Sequence, residues 1–108
     1  MPELPEVETT RRGVEPHSLG RVISSIIVRE PRLRWPVPGD LATVLVGQTV
    51  SAVERRAKYL LFHTEAGSLL VHLGMSGSLR VVAAGEAPAR HDHIDILFQD
   101  GRCLRYND

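Results

Sequence analysis

From residue 49 onward the sequence breaks into short segments of alternating or β-branched apolar residues, each bounded by glycine, aspartate or another turn former. That punctuation commits this stretch to strands, because none of its apolar runs keeps a helical period. Strand pattern covers residues 49–55, 58–64, 68–73, 79–82, 93–98 and 103–106. Glu65-Ala66-Gly67 supplies one turn, and Asp100-Gly101 carries the signal of a two-residue hairpin. An earlier segment, 21–29, adds Val22, Ile23, Ile26, Ile27 and Val28, a run that suits a strand with both faces at least partly covered. Seven short strands at this spacing imply an antiparallel sandwich or barrel.

Helical pattern is confined to the margin. Residues 5–12 predict a short N-terminal helix, with Pro5 in its first turn, Glu6 and Glu8 near its positive end, and Arg11 and Arg12 near its negative end before Gly13. Its apolar stripe of Leu4, Val7 and Val14 is thin, so the helix is expected to rest on the body without forming its centre. Asp40 is placed to cap a brief second helix with Leu41, Val44 and Leu45 inward and Gly47 at its end. Between strand and helix, residues 31–39 hold three prolines and two arginines around Trp35, the pattern of an irregular loop with one aromatic anchor.

At 108 residues the chain is expected to be one domain with its own core. Its single cysteine, Cys103, excludes an intramolecular disulfide and a four-cysteine zinc site within these residues. No apolar run approaches the ~20 residues of a membrane span, and no signal peptide is visible, so a cytoplasmic domain without membrane contact is the expectation. Thirteen basic residues balance thirteen acidic ones, which by itself argues against strong nucleic-acid binding. Twelve of the cations are arginine. Arginine clamps phosphates but cannot act as an amine nucleophile, which leaves Lys58 and the N-terminus as the reactive amines.

Loss of Met1 would make Pro2 a secondary amine that is partly neutral near pH 7, since an α-amino group titrates near ~8. Attack by such an amine on a sugar C1′ or a carbonyl yields an iminium, an electron sink, and Glu3 stands beside it to move protons. With Met1 attached, the same nitrogen is a tertiary amide and Pro2 is no nucleophile. In most chains, however, glutamates at such a place merely complement a helix dipole. Lys58 lies in Arg55-Arg56-Ala57-Lys58-Tyr59, where strand alternation would put Arg56 and Lys58 on one face. That face is either ordinary solvated surface or a phosphate-holding one. Met75 sits between Gly74 and Gly77, an adaptable apolar side chain in a segment whose glycines allow a sharp turn or close approach. It suits a core gap or a wedge. In His91-Asp92-His93-Ile94-Asp95, alternation would bring His91, His93 and Asp95 to one face. Three such residues are a weak metal signal, and hydrogen-bonding or phosphate contact is the commoner use.

The strings MPELPEVETTRRGVEPH at the start, RLRWPV at 32–37, RRAKYLL at 55–61, HLGMSGSLR at 72–80, HDHIDI at 91–96 and LRYND at the end together resemble the N-terminal domain of the bacterial formamidopyrimidine-DNA glycosylases. The resemblance runs through essentially the whole chain, so residues 1–108 are expected to be that catalytic domain. It implies a two-layered antiparallel β-sandwich flanked by helices, with damaged double-stranded DNA as partner. It also implies a bifunctional glycosylase and abasic-site lyase removing oxidised purines such as 8-oxoguanine. Pro2 would attack C1′ and form a Schiff base, Glu3 would assist opening of the sugar ring, and β,δ-elimination would follow. Glu6 would support the site, Lys58 would contact phosphate and donate a proton, and His91 and Arg56 would contact DNA. Met75 would help fill the hole left by the flipped base.

Full members of the family, working as monomers, continue beyond the position of Asp108 with a helix-two-turn-helix domain and a zinc finger holding one structural zinc. Those parts are absent from these residues, so no cofactor is expected here, and the chain alone is expected to be weak or inactive in excision. Two other classes stay open on the residues alone. One is a phosphate-contacting binding module; the other is a tautomerase using the Pro2 amine as a base, which gives Lys58, Met75 and His91 no role.

Overall fold

The structure is a computed structural model that describes residues 4–30, 32, 37–74 and 77–108. The expected loop around Trp35 falls mostly outside the described residues. Among the described residues seven strands form, as the turn spacing predicts: β1 (Ile23–Val28), β2 (Ala52–Arg56), β3 (Tyr59–Thr64), β4 (Gly67–His72), β5 (Ser78–Ala83), β6 (Asp92–Phe98) and β7 (Arg102–Asn107). They make two antiparallel sheets, one in the order β1-β6-β7-β5 and the other β2-β3-β4. The fold is the mainly β, two-sheet architecture with a helix at its N-terminus that the sequence implied.

The core joins Val53, Leu60 and Phe62 of the smaller sheet to Ile23, Leu79, Ile96, Phe98 and Leu104 of the larger. Each such side chain, once fully buried, contributes roughly 1.5–3 kcal/mol of transfer free energy. The first helix, α1 (Leu4–Ser18), is longer than residues 5–12 and packs against β2, β3 and β5. It runs through Gly13 and Pro16 because Val7, Val14 and Ser18 lie along one stripe and are all buried. Burial of that stripe outweighs the roughly 1 kcal/mol that a helical glycine costs. Arg11 and Arg12 therefore sit in mid-helix, and α1 is part of the core where a thin stripe suggested a peripheral element. The second helix, α2 (Leu41–Leu45), buries Leu45 but leaves Val44 exposed, and Asp40 makes no side-chain cap bond. Gly47 follows at a positive φ of 88°, as a helix-ending glycine should.

Two irregularities reset which side chains face inward. β1 carries a register shift between Ile23 and Ser25, so that Ile23 and Ile26, three residues apart, both reach the core. As an edge strand it leaves Ile27 exposed, less covered than its β-branched run implied. β6 shifts between Asp92 and Ile94, inserting His93 as the extra residue. The β6–β7 connection holds three residues, 99–101, one more than the Asp100-Gly101 signal suggested, with Gly101 at φ 90°.

Candidate nucleic-acid interface

The hairpin joining β2 to β3 sets the position of Lys58. Arg56 pairs with Tyr59, so only Ala57 and Lys58 are left to reverse the chain. Lys58 therefore sits in the turn, and does not share a strand face with Arg56 as simple alternation suggested. Ala57 has φ 51°, an uncommon backbone setting for a residue with a Cβ. Arg55 braces the turn from β2 by donating from Nη1 to the Ala57 carbonyl at 3.1 Å. Its Nε also donates to Glu8 Oε1 of α1 at 3.3 Å. Arg56 points outward, with Nη2 3.3 Å from Glu54 Oε1.

From Tyr59 a line of contacts runs across both sheets. Tyr59 lies opposite His72, and their rings are 4.7 Å apart and tilted by 33°. Beyond His72 the chain turns at Gly74, φ 64°, and closes when the Gly77 amide donates to the Leu73 carbonyl at 2.8 Å. A Cβ on Gly77 would collide with that same carbonyl and lie 2.9 Å from the Tyr106 hydroxyl. Close approach thus explains the second glycine of the motif, and the left-handed turn explains the first. Tyr106 Oη donates to the His72 carbonyl at 3.4 Å, linking β7 to β4 and so the two sheets. Burial, with the Asp108 carboxylate nearby, pushes the Tyr106 phenol up to about 12, so it stays a neutral donor. The Asp108 amide then donates to the His91 carbonyl at 3.1 Å, and His93 Nε2 donates to the Asp108 carbonyl at 2.8 Å.

Of the expected grouping, His91 and His93 stay close, their rings 6.1 Å apart and edge to face, while Asp95 separates. The extra residue at His93 breaks the alternation, and Asp95 is buried on Arg105 and Arg29. Arg105 donates from Nε and Nη2 to the two Asp95 oxygens at 2.9 and 3.0 Å, and Arg29 Nη2 donates to Oδ2 at 2.6 Å. Burial alone would raise Asp95, but these bonds outweigh it and hold the carboxyl at about 2. Asp92, also buried, accepts from Asn107 Nδ2 at 2.9 Å and from the Ala89 amide at 2.7 Å. Those bonds, with Arg80 and Arg105, hold it below the usual carboxylate range. Arg105 further donates to the carbonyls of Glu86 and Ala87, so the segment leading to His91 is fastened to the outer side of the larger sheet. Among the described residues no group of three His, Cys, Asp or Glu side chains is arranged to hold a metal ion. A four-cysteine zinc finger does not fit this chain, whose single thiol, Cys103, is buried.

Pro2, Glu3 and Met75 lie outside the described residues. Glu6 is exposed in the first turn of α1, while Lys58 and His91 belong to the hairpin and to the segment before β6. Two features escaped the sequence reading. Glu8 takes bonds from Arg11 at 2.7 and 2.9 Å and from Arg12 at 3.0 Å. Chiefly through Arg11, with Arg12 and Arg55 adding, its carboxyl is held at about 2. Its i+3 and i+4 spacing to the two arginines was a readable signal; its reach to Arg55 was not. With Arg11, Val53, Glu54 and Arg55 it lines an open cleft of about 260 Å³. On the smaller sheet, His63 stands between Ser68 Oγ at 2.5 Å and Glu54 Oε1 at 2.8 Å.

Comparison with known proteins matches this arrangement. The family model described as the formamidopyrimidine-DNA glycosylase N-terminal domain covers residues 1–108. Formamidopyrimidine-DNA glycosylases of Stutzerimonas stutzeri and Thioalkalivibrio sulfidiphilus are 62% and 65% identical over the whole chain. The chain spans 40% of the length of each. A Lactococcus lactis formamidopyrimidine-DNA glycosylase, solved non-covalently bound to DNA containing an abasic site, superposes with a TM-score of 0.88 at 36% identity over 98% of this chain and 41% of that one. A MutM solved with DNA containing carbocyclic 8-oxoguanine gives 0.87 at 36% identity, over 99% of this chain and 41% of that one. The family model, the sequence identity over the full length of this chain and the superposition all agree, and the chain belongs to the formamidopyrimidine-DNA glycosylase family.

Proposed function

We propose that this chain supplies the reacting amine of a bifunctional DNA glycosylase and abasic-site lyase that removes oxidised purines. The observation that carries the reading is the match to the family model over all of residues 1–108, Pro2 included. The chain's one side-chain amine stands at a hairpin tip next to the Tyr59–His72 pair, in a chain that matches the family model from end to end. Relatives solved with abasic-site and 8-oxoguanine DNA support damaged duplex DNA as the partner.

In this reading the lone pair of the Pro2 nitrogen, freed by loss of Met1, attacks C1′, and the base departs with the bonding electrons of its glycosidic bond. The nitrogen's own proton passes to the departing base, Glu3 gives a proton to the ring oxygen, and the ring opens as the freed nitrogen lone pair forms the C=N bond of an iminium. The iminium acidifies C2′; loss of that proton expels the 3′ phosphate, and δ-elimination then expels the 5′ phosphate. Lys58 holds phosphate and hands a proton to the reacting sugar, and Glu6 supports the site as a nearby carboxylate. Arg56 and His91 grip the backbone, and Met75 occupies the space of the extruded base.

The test is borohydride trapping on abasic duplex DNA, using chain shown by intact mass to begin at Pro2. A covalent adduct is expected, abolished by Pro2→Gly and only weakened by Lys58→Ala. No adduct, with salt-sensitive DNA binding retained, would reduce the chain to a binding module. Excision of 8-oxoguanine from duplex by these 108 residues alone is expected to be feeble beside that of a longer version; vigorous turnover would overturn that division of labour.

A further inference from the structure

Arg55 connects two parts of the molecule that stand 47 residues apart in the chain. One planar guanidinium donates from Nε to Glu8 on α1 and from Nη1 to the Ala57 carbonyl in the hairpin turn. Its fork fixes both acceptors in one plane, which a point charge would not do. Neither end is loose. Glu8 is gripped by Arg11 and Arg12, while Val53 and Leu60, flanking Arg55 on β2 and β3, are buried in the core. The Ala57 carbonyl belongs to the same peptide plane as the Lys58 amide. That plane follows a residue held at φ 51°, a setting disfavoured by roughly 1–2 kcal/mol for a residue with a Cβ.

We propose that Arg55 is a positioning residue that locks the Ala57–Lys58 peptide to Glu8, and so ties the hairpin carrying the chain's single lysine to the helix that follows Pro2 and Glu3. The functional weight of this brace rests on the reading of Lys58 and Pro2 given above. The brace itself does not, because it predicts that a change at Glu8, on another element, is felt at Lys58.

With one lysine in the chain, reductive methylation with ¹³C-formaldehyde gives a single dimethyl-lysine NMR signal, distinct from that of the N-terminal amine. Arg55→Gln and Glu8→Gln should each move that signal. Glu15→Gln, which removes another partner of Arg11 but leaves Arg55 bonded, should not. A Lys58 signal indifferent to Glu8→Gln overturns the brace. In borohydride trapping at saturating abasic DNA, both variants should slow adduct formation about tenfold, as misplacement of a reacting group does, with half-saturation by DNA unchanged. Arg55→Lys should recover only part of the rate. An unaltered trapping rate overturns the positioning role. If the unsubstituted chain forms no adduct, the Schiff-base reading fails, and the NMR comparison alone decides the brace. The Glu8–Arg55 pair is partly exposed, so the variants should remain folded, which circular dichroism checks.

Discussion

Arg105 and Asp95 face each other across β7 and β6 in a two-pronged ion pair, 2.9 and 3.0 Å, with only 2% and 3% of the residues exposed. Removing one partner leaves the other charged and buried. Asp95→Ala should therefore cost about 3–5 kcal/mol in urea denaturation, because Arg105 and Arg29 lose their common acceptor. The same pair sets a pH response. The Asp95 carboxyl is lowered from 3.8 to about 2 by folding, so its contribution is fully present above pH ~4 and fades as pH falls toward 2. Asp95→Asn should flatten that part of the stability profile; an unchanged acid limb would show that other carboxylates govern it.

The two glycines of the loop after β4 should fail for different reasons. Gly77→Ala meets the Leu73 carbonyl and the Tyr106 hydroxyl, and overpacking of this kind costs about 1–3 kcal/mol. Gly74→Ala meets nothing within 4 Å and pays only for its positive φ, about 1 kcal/mol. Because the Gly77 clash involves Tyr106, adding Tyr106→Phe should recover part of the Gly77→Ala loss and none of the Gly74→Ala loss. Equal recovery in both would exclude the steric explanation.

Arg56 leaves 70% of its side chain in solvent and reaches Glu54 only at 3.3 Å, so Arg56→Ala should change stability by less than about 0.5 kcal/mol. If it contacts a phosphate, the same change should reduce the slope of log affinity against log salt by about one for duplex DNA. Fluorescence anisotropy at several salt concentrations reads that slope. A uniform slope with weakened affinity would point to a contact other than phosphate.

Much of the sheet framework was legible because turn residues and alternation are local signals. All seven strands lie where the apolar segments do, and Gly47, Gly67 and Gly101 sit at turns with positive φ. What local pattern could not carry was tertiary. Val14 and Ser18 extend α1 past Gly13 because of what they pack against, and the bulge at His93 changes the facing of Asp92 with no mark in composition. Lys58 looked like a strand residue because Arg55 to Leu61 has no glycine to announce a reversal; Ala57 takes the positive φ in its place. Of the proposed site, Lys58, Arg56 and His91 were singled out from motif, charge and resemblance. The Glu8–Arg55 bond depends on the packing of α1 across β2, and no spacing rule reaches that far.

Cys103 is 1% exposed, and burial lifts its thiol to about 11. At neutral pH almost none of it is thiolate, and reagents reach it only when the sheet opens. The chain thus contains its own clock for such openings: the rate at which this one sulfur is alkylated counts excursions of the β6–β7 region, without a probe having been introduced.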